Sequence, residues 1–409
     1  MHYRTDYSAT QLQARPDVLA LGPWRLHYQA YALRADDPRP PVLMLGGAFQ
    51  SFRSFAREVS ELLAVHPVIL LDLPSQGGNL QLAPELGLEA LADLIADFAD
   101  TLHLPSLMPI GLSYGSALAA LFAARHPARC ARLLLAGITD FGRPGARLLL
   151  EEGLALLAEG NIETFAQGAL TGLLNPRRLQ DTGVSPTFRK VLLRQLQRLT
   201  PIEIERYRQN SQRLLDFPGF DQHPRCPTLV LAGEHDHFTQ PWEHARFAAA
   251  CDDATCVLIH NADHLAQFQR PEACASHYRP FLQGNDLPLH STLATRLAHD
   301  QWQTLEKRHE LRQPPLNRGG RLRHSDGGEW PVELAELGFF GGLLRAALPE
   351  RLPVRGWQLL STGLPPQPLL PLRRGTDGLA FVFTHGDVQA SNALAACIGP
   401  LMRPTSACA

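Results

Sequence analysis

Between residues 24 and 281 short apolar runs alternate with segments whose apolar positions recur at helical spacing. The runs at 25–33, 41–45, 67–71, 107–110, 131–136, 228–232 and 255–260 predict strands, and the stretches 55–65, 88–102, 116–125 and 265–282 predict helices. Strands joined by helix-length connections pair in parallel, so the pattern specifies an α/β fold on a mainly parallel sheet. The rhythm lapses between Thr139 and about Gln222, where leucine-rich helical segments replace it. An insertion at that place is expected to form a helical lid.

Beyond Phe281 the pattern changes. Residues 284–304 read as a linker, and the polar stretch 292–311 predicts a helix. From Pro314-Pro315 onward, short apolar runs at 321–323, 330–335, 342–346, 354–360, 369–373 and 379–383 are separated by turn residues, which predicts a small β-barrel domain over 305–409. The segment 388–402 predicts a closing helix. Residues 1–283 then form the α/β domain, with the lid at about 139–222.

Composition narrows the class. A chain of 409 residues with 45% hydrophobic and 19% charged positions is expected to be globular and to hold more than one domain. A formal net charge of -2 offers no general attraction to a nucleic-acid polymer. Seven cysteines, an odd number without a C-x-x-C spacing, fit reduced thiols. The amino terminus lacks an apolar signal core and no run is long enough to span a membrane, so a cytoplasmic protein is expected.

The chemistry is carried by Gly111-Leu112-Ser113-Tyr114-Gly115, which joins a predicted strand to a predicted helix in the form G-x-S-x-G. A sharp strand-to-helix turn leaves the serine at its tip and has no room for side chains at the flanking positions. Ser113 is therefore the candidate nucleophile. A serine hydroxyl needs a base, and the base needs an orienting acid. Two later strands end at Gly233-Glu234-His235-Asp236 and at His260-Asn261-Ala262-Asp263-His264, which nominates Asp236 and His264; Glu234 is the alternative acid and His260 the alternative base. The His and Asp residues from 235 to 237 and from 260 to 264 also admit a metal reading, against which stands the absence of helical H-x-x-x-H spacing or a cysteine partner. The backbone N–H of Tyr114, after the nucleophile, and that of Ala48, in Leu45-Gly46-Gly47-Ala48, are the candidate oxyanion donors. Neither a metal nor an organic cofactor is required.

These residues resemble the α/β-hydrolase family over roughly 24–283. Leu45-Gly46-Gly47-Ala48, Ser54-Phe55-Ala56-Arg57 and Asp72-Leu73-Pro74 are similar to its branch of 3-hydroxyacyl acyltransferases of rhamnolipid-precursor and polyhydroxyalkanoate synthesis. That branch resemblance implies an acyl-enzyme on Ser113, formed from a medium-chain 3-hydroxyacyl thioester and passed to a hydroxyl, a thiol or water; the overall expectation is a carboxylic ester or acyl thioester substrate. Lys190, Arg194 and Arg198 recur at four-residue spacing in the insertion, with Arg206, Arg208 and Arg213 beyond. Such a face would suit an acidic donor such as an acyl carrier protein or coenzyme A; a solvated helix face is the alternative.

In the carboxy-terminal region Arg308 and Arg312 form R-x-x-x-R, and Glu336-Leu337-Gly338-Phe339-Phe340-Gly341 follows a predicted strand. The pair resembles a PilZ domain, which implies a cyclic di-GMP site at Arg308, Arg312, Glu336, Gly338 and Gly341. The second motif departs from the family's D-x-S-x-x-G: Glu336 replaces Asp and Gly338 replaces Ser. The expectation is a serine hydrolase or acyltransferase joined to a PilZ-like barrel. The rival is a cyclic di-GMP effector or interaction module whose hydrolase domain is non-catalytic.

Overall fold

The computed structural model describes residues 1–307, 310, 312, 314–315 and 317–398. Two compact units are present: Met1–Gly142 with Asp181–Gly183 and Leu199–Lys307, and Arg143–Gln180 with Val184–Arg198 and Arg308–Ala409.

The first unit holds a nine-stranded sheet made of β1 (Asp17–Leu21), β2 (Trp24–Tyr31), β3 (Val42–Leu45), β4 (Val68–Asp72), β5 (Met108–Leu112), β6 (Leu133–Ala136), β7 (Thr228–Gly233), β8 (Ala254–Ile259) and β9 (Ala294–Arg296). Their order across the sheet is β1-β2-β4-β3-β5-β6-β7-β8-β9. From β4 to β8 every neighbour is parallel, and β1, β2 and β9 add antiparallel edges. Strands β3, β4, β5 and β7 are buried along their whole length, which is what helices on both faces of a parallel sheet demand. This α/β-hydrolase arrangement places the carboxyl ends of the central strands on one edge, where the loops of interest cluster.

The edge strands escaped the apolar pattern. Strand β1 is exposed along much of its length, and β9 is a three-residue strand that exists by pairing with β8. Of the helix expected over 292–311, part of which lies outside the described residues, the described residues keep His299–Trp302. The single helix expected at 265–282 is two, Ala266–Gln269 and Pro271–Gln283, because Pro271 excludes the helical conformation from Arg270, which sits at φ -131° and ψ 55°.

In the second unit β10 (Gly319–His324), β11 (Glu329–Leu337), β12 (Gly341–Arg345), β13 (Trp357–Ser361), β14 (Gln367–Gly375) and β15 (Gly378–Phe383) close into an antiparallel barrel in the order β10-β11-β12-β15-β14-β13. Leu322, Leu334, Leu344, Leu359, Phe381 and Phe383 fill it. Closure pairs every edge, which offsets the shortness of the strands. The helices Pro144–Ala158, Ile162–Leu173 and Pro186–Gln197 of the insertion group with this barrel. Arg355, beside β13, forks between Glu152 of the first of them and Glu159, which caps its end, with Nη1 2.5 Å from Glu159 Oε1, and Arg177 Nη1 donates to the Ala395 carbonyl at 3.1 Å. The last insertion helix, Pro201–Asp216, groups with the sheet.

Candidate active site

Strand β5 ends at Leu112, and the next residue, Ser113, stands at φ 50° and ψ -119° before the helix Tyr114–Arg125. A non-glycine residue in that region is strained, and the surroundings enforce it. The Ser113 N–H donates to the Ala136 carbonyl of β6 at 2.7 Å. A Cβ on Gly111 would lie 2.5 Å from the Gly115 carbonyl oxygen, and one on Gly115 only 2.2 Å from that of Leu45. Both glycines are there because backbone approaches backbone.

His264 follows β8 and Asp236 follows β7, and the fold brings both to Ser113. His264 Nε2 is 3.0 Å from Ser113 Oγ, and its Nδ1 is 2.9 Å from Asp236 Oδ2. Asp236 is almost fully buried, at 2% exposure, and accepts from the N–H groups of Phe238 and Thr239 at 2.9 and 2.8 Å and from the Thr239 hydroxyl at 2.6 Å. Burial opposes the charge on Asp236, but His264 and the Thr239 hydroxyl outweigh it and hold the carboxyl below the ordinary range. Burial likewise presses the His264 imidazole down, and the Asp236 charge and hydrogen bond more than offset it, leaving its pKa above the ordinary 6.5. The carboxylate thus orients the ring with Nδ1 protonated and leaves Nε2 as the acceptor facing the serine.

Three further residues tighten this set without having been nominated by sequence. Thr239 binds both Asp236 Oδ2 and, at 3.1 Å, His264 Nδ1. Gly137, at φ 82°, passes so close that a Cβ on it would be 3.1 Å from both Ser113 Cα and His264 Cε1. Its N–H donates at 3.0 Å to Nε2 of His244, a buried imidazole pushed below its usual pKa by desolvation, whose Nδ1 meets the Gln240 carbonyl at 3.1 Å. Only the glycine directly after an apolar run hinted at this in the sequence.

The loop after β3 abuts the nucleophile: a Cβ on Gly47 would stand 3.1 Å from Ser113 Cβ. Gly47 spends its own N–H on Gln50 Oε1, at 2.6 Å. The amides of Ala48 and Tyr114 donate to no protein group among the described residues. Tyr114 opens its helix, where N–H groups have no intrahelical partner and the dipole favours negative charge.

After β4, the loop is folded around Asp72. Gly78 N–H donates to its Oδ2 at 2.7 Å, and Gly77, at φ 46°, leaves no space for a Cβ beside the carboxyl. Burial pushes Asp72 up to about 7, against the Gly78 N–H and the nearby Arg206. Arg206 itself donates to the Gly77 carbonyl, and Tyr207 stacks on Phe49 with centroids 5.0 Å apart. Arg213 is buried and bound to the Leu86 carbonyl at 2.7 Å, whereas Arg208 pairs with Glu205. Lys190, Arg194 and Arg198 are exposed.

The alternatives lie elsewhere. Glu234 Oε2 accepts from Asn261 N–H at 2.9 Å, and His260 Nε2 is 2.9 Å from Thr295 Oγ1. Among the described residues no three His, Cys, Asp or Glu side chains form a metal-holding group. No described helix is long and apolar enough to cross a membrane.

In the barrel, Arg308 lies outside the described residues. Glu336 is half-buried on β11 after a bulge, and Gly338 is buried. Gly341 opens β12, where a Cβ would be 2.2 Å from the Phe381 carbonyl oxygen. A Cβ on Gly338 would stand 2.3 Å from Glu310 Oε1 and 3.3 Å from Arg312 Cγ. Glu310 Oε1 accepts from Phe340 N–H at 3.2 Å. Burial raises the Glu310 carboxyl, while the Phe340 and Phe339 amides and the Arg177 and Arg312 charges favour its ionised form. His385, stacked on Phe339 at 4.2 Å, is pushed down to about 4 by burial and is neutral.

Residues 40–271 match the family model for the alpha/beta hydrolase fold. Over 274 residues, 63% of this chain and 92% of the relative, the sequence is 24% identical to 2-hydroxy-6-oxononadienedioate/2-hydroxy-6-oxononatrienedioate hydrolase 2 of Pseudomonas putida. The crystal structure of MGS-M2, an alpha/beta hydrolase enzyme from a Medee basin deep-sea metagenome library, superposes with a TM-score of 0.58 at 17% identity, over 68% of this chain and all of that one. The enol-lactonase from Burkholderia xenovorans LB400 gives 0.56 at 20% identity, over 65% of this chain and all of the other.

Proposed function

The chain belongs to the alpha/beta hydrolase fold family, and we propose that it is a serine hydrolase that cleaves carboxylic esters, lactones or acyl thioesters through an acyl-enzyme on Ser113. The observation that carries this reading is the unbroken chain of contacts from Ser113 Oγ through His264 to Asp236, at 3.0 and 2.9 Å, with the serine held in a strained turn.

In this mechanism His264 Nε2 takes the Ser113 proton as Oγ attacks the carbonyl carbon. The carbonyl electrons move to oxygen, where the Ala48 and Tyr114 N–H groups receive the negative charge. Collapse of the tetrahedral intermediate expels the alcohol or thiol, which leaves with the proton from His264. Water, deprotonated by the same imidazole, then attacks the acyl-enzyme and restores Ser113. Asp236 keeps its charge throughout and stabilises the imidazolium. An alcohol or thiol acceptor in place of water would yield acyl transfer by the same steps. The exposed Lys190, Arg194 and Arg198 support a thioester donor on an acidic carrier, acyl carrier protein or coenzyme A.

The direct test needs no knowledge of the substrate. A fluorophosphonate probe should modify Ser113 stoichiometrically, mapped by mass. Because His264 must be neutral to act as base, the labelling rate should rise with pH through one ionisation lying above 6.5. Absent labelling across the pH range, or labelling elsewhere, would reject the assignment.

For the barrel, the resemblance implied a cyclic di-GMP receptor. We infer instead that the chain itself fills that place: the Glu310 carboxyl lies against Gly338, where the motif expects serine, and accepts the Phe340 N–H. Calorimetric titration with cyclic di-GMP should therefore give no binding heat. A saturable heat that disappears in Arg312→Ala would restore the receptor reading.

A further inference from the structure

Cys130 lies three positions before β6 and Cys226 two before β7, 96 positions apart in the chain. The fold sets them face to face, Sγ to Sγ at 3.5 Å, with exposures of 5% and 8%. Between them runs β6, which launches the helical insertion, and then the whole insertion up to the strand that receives it. The two strand starts are already joined through Leu133 N–H and the Pro227 carbonyl, at 2.9 Å. Adjoining strands are about 4.8 Å apart, and disulfides span Cα separations of about 4.4–6.8 Å. The thiols therefore need to close by little more than one bond length. Both are free in this structure.

We propose that Cys130 and Cys226 are a modification site, a dithiol that peroxide converts to a reversible disulfide stapling β6 to β7 at the root of the insertion. Cys226, the more exposed of the two thiols, attacks first. Its sulfur bonds to one peroxide oxygen as the O–O bond breaks, and the departing hydroxide takes up the thiol proton as water. Cys130 sulfur then attacks the Cys226 sulfenic acid. The S–S bond forms, the S–O bond breaks, and the second hydroxide leaves as water with the Cys130 proton. Two thiols lose two electrons and one peroxide gains them. A dithiol reductant reverses the step by thiol–disulfide exchange.

The cross-link would restrain the unfolded chain over a loop of nearly a hundred residues, which is where such staples act most strongly. It lies at the amino ends of the strands, opposite the carboxyl ends that carry Gly137 and Asp236. Thermal stability is therefore its expected readout.

The full-length protein would be treated with hydrogen peroxide, its remaining thiols blocked under denaturing conditions, and its peptides mapped without reduction. The expected product is a joined Cys130–Cys226 peptide that dithiothreitol separates. The oxidised protein should melt about 5 °C or more above the reduced one, a rise that Cys226→Ser removes. Since oxidised and reduced wild type are compared directly, the result does not depend on the variant folding. Cross-linking through the exposed Cys397 instead, sulfinic acid at Cys226, or a joined peptide with no rise in melting temperature would overturn the proposal.

Discussion

Ser113→Ala is expected to lower the turnover of any ester this protein hydrolyses by a factor on the order of 10⁴ or more. In the proposed mechanism the substitution removes the atom that would form the acyl bond and leaves the rest of the site standing, with His264 keeping its 2.9 Å contact with Asp236. Whatever acceleration survives must come from binding and from charge stabilisation by oxyanion donors, which alone sustain a modest residual rate in serine hydrolases. Alanine is smaller than serine and still tolerates the positive φ poorly, so melting temperature should be measured alongside the rate. A folded Ser113→Ala protein turning over near the wild-type rate would remove Ser113 from the chemistry. A large loss with unchanged folding would leave it as the nucleophile.

Gly115→Ala is expected to damage stability and activity together. A single methyl group there would be built 2.2 Å from the Leu45 carbonyl oxygen and 2.8 Å from that of Gly46, both backbone atoms with no rotamer to yield. Either the helix Tyr114–Arg125 lifts from the sheet or the end of β3 moves away. Overpacking of this kind costs about 1–3 kcal/mol, sometimes more. The activity loss has a separate origin. Leu45 and Gly46 lead directly into Gly47 and Ala48, so moving them shifts the Ala48 amide, one of the two proposed oxyanion donors. A displacement of about 1 Å in a catalytic group can reduce the rate about 100-fold. Differential scanning calorimetry and ester kinetics on the same preparation would test both effects. Unaltered melting and unaltered turnover would mean that the close approach is relieved without cost.

Much of the first unit was legible in the sequence. Seven of the nine strands were expected within a few residues of where they stand; six of these, β3 to β8, pair in parallel, and buried parallel strands read as near-continuous apolar runs bounded by polar turns. The six barrel strands were likewise visible between Gly and Pro punctuation. Strands β1 and β9 were not, since an exposed edge has no apolar signature and forms only when a neighbour offers its hydrogen bonds. Ser113, Asp236 and His264 could be nominated because motif and strand order are local features, each readable within a few residues.

The supporting contacts could not be read that way. His244 reaches Gly137 across 107 positions, and Glu310 fills the space beside Gly338. Cys226 meets Cys130 across 96 positions. Nothing in the residues near any of these partners signals the other. By itself the sequence determined the order of strands and helices and the residue types available for chemistry, because periodicity and turn propensity act over a few residues. Only the tertiary structure decided which distant groups share a hydrogen bond, which carboxylates are buried and which cysteines face each other, because those outcomes depend on how strands pair and on what burial forces polar groups to find.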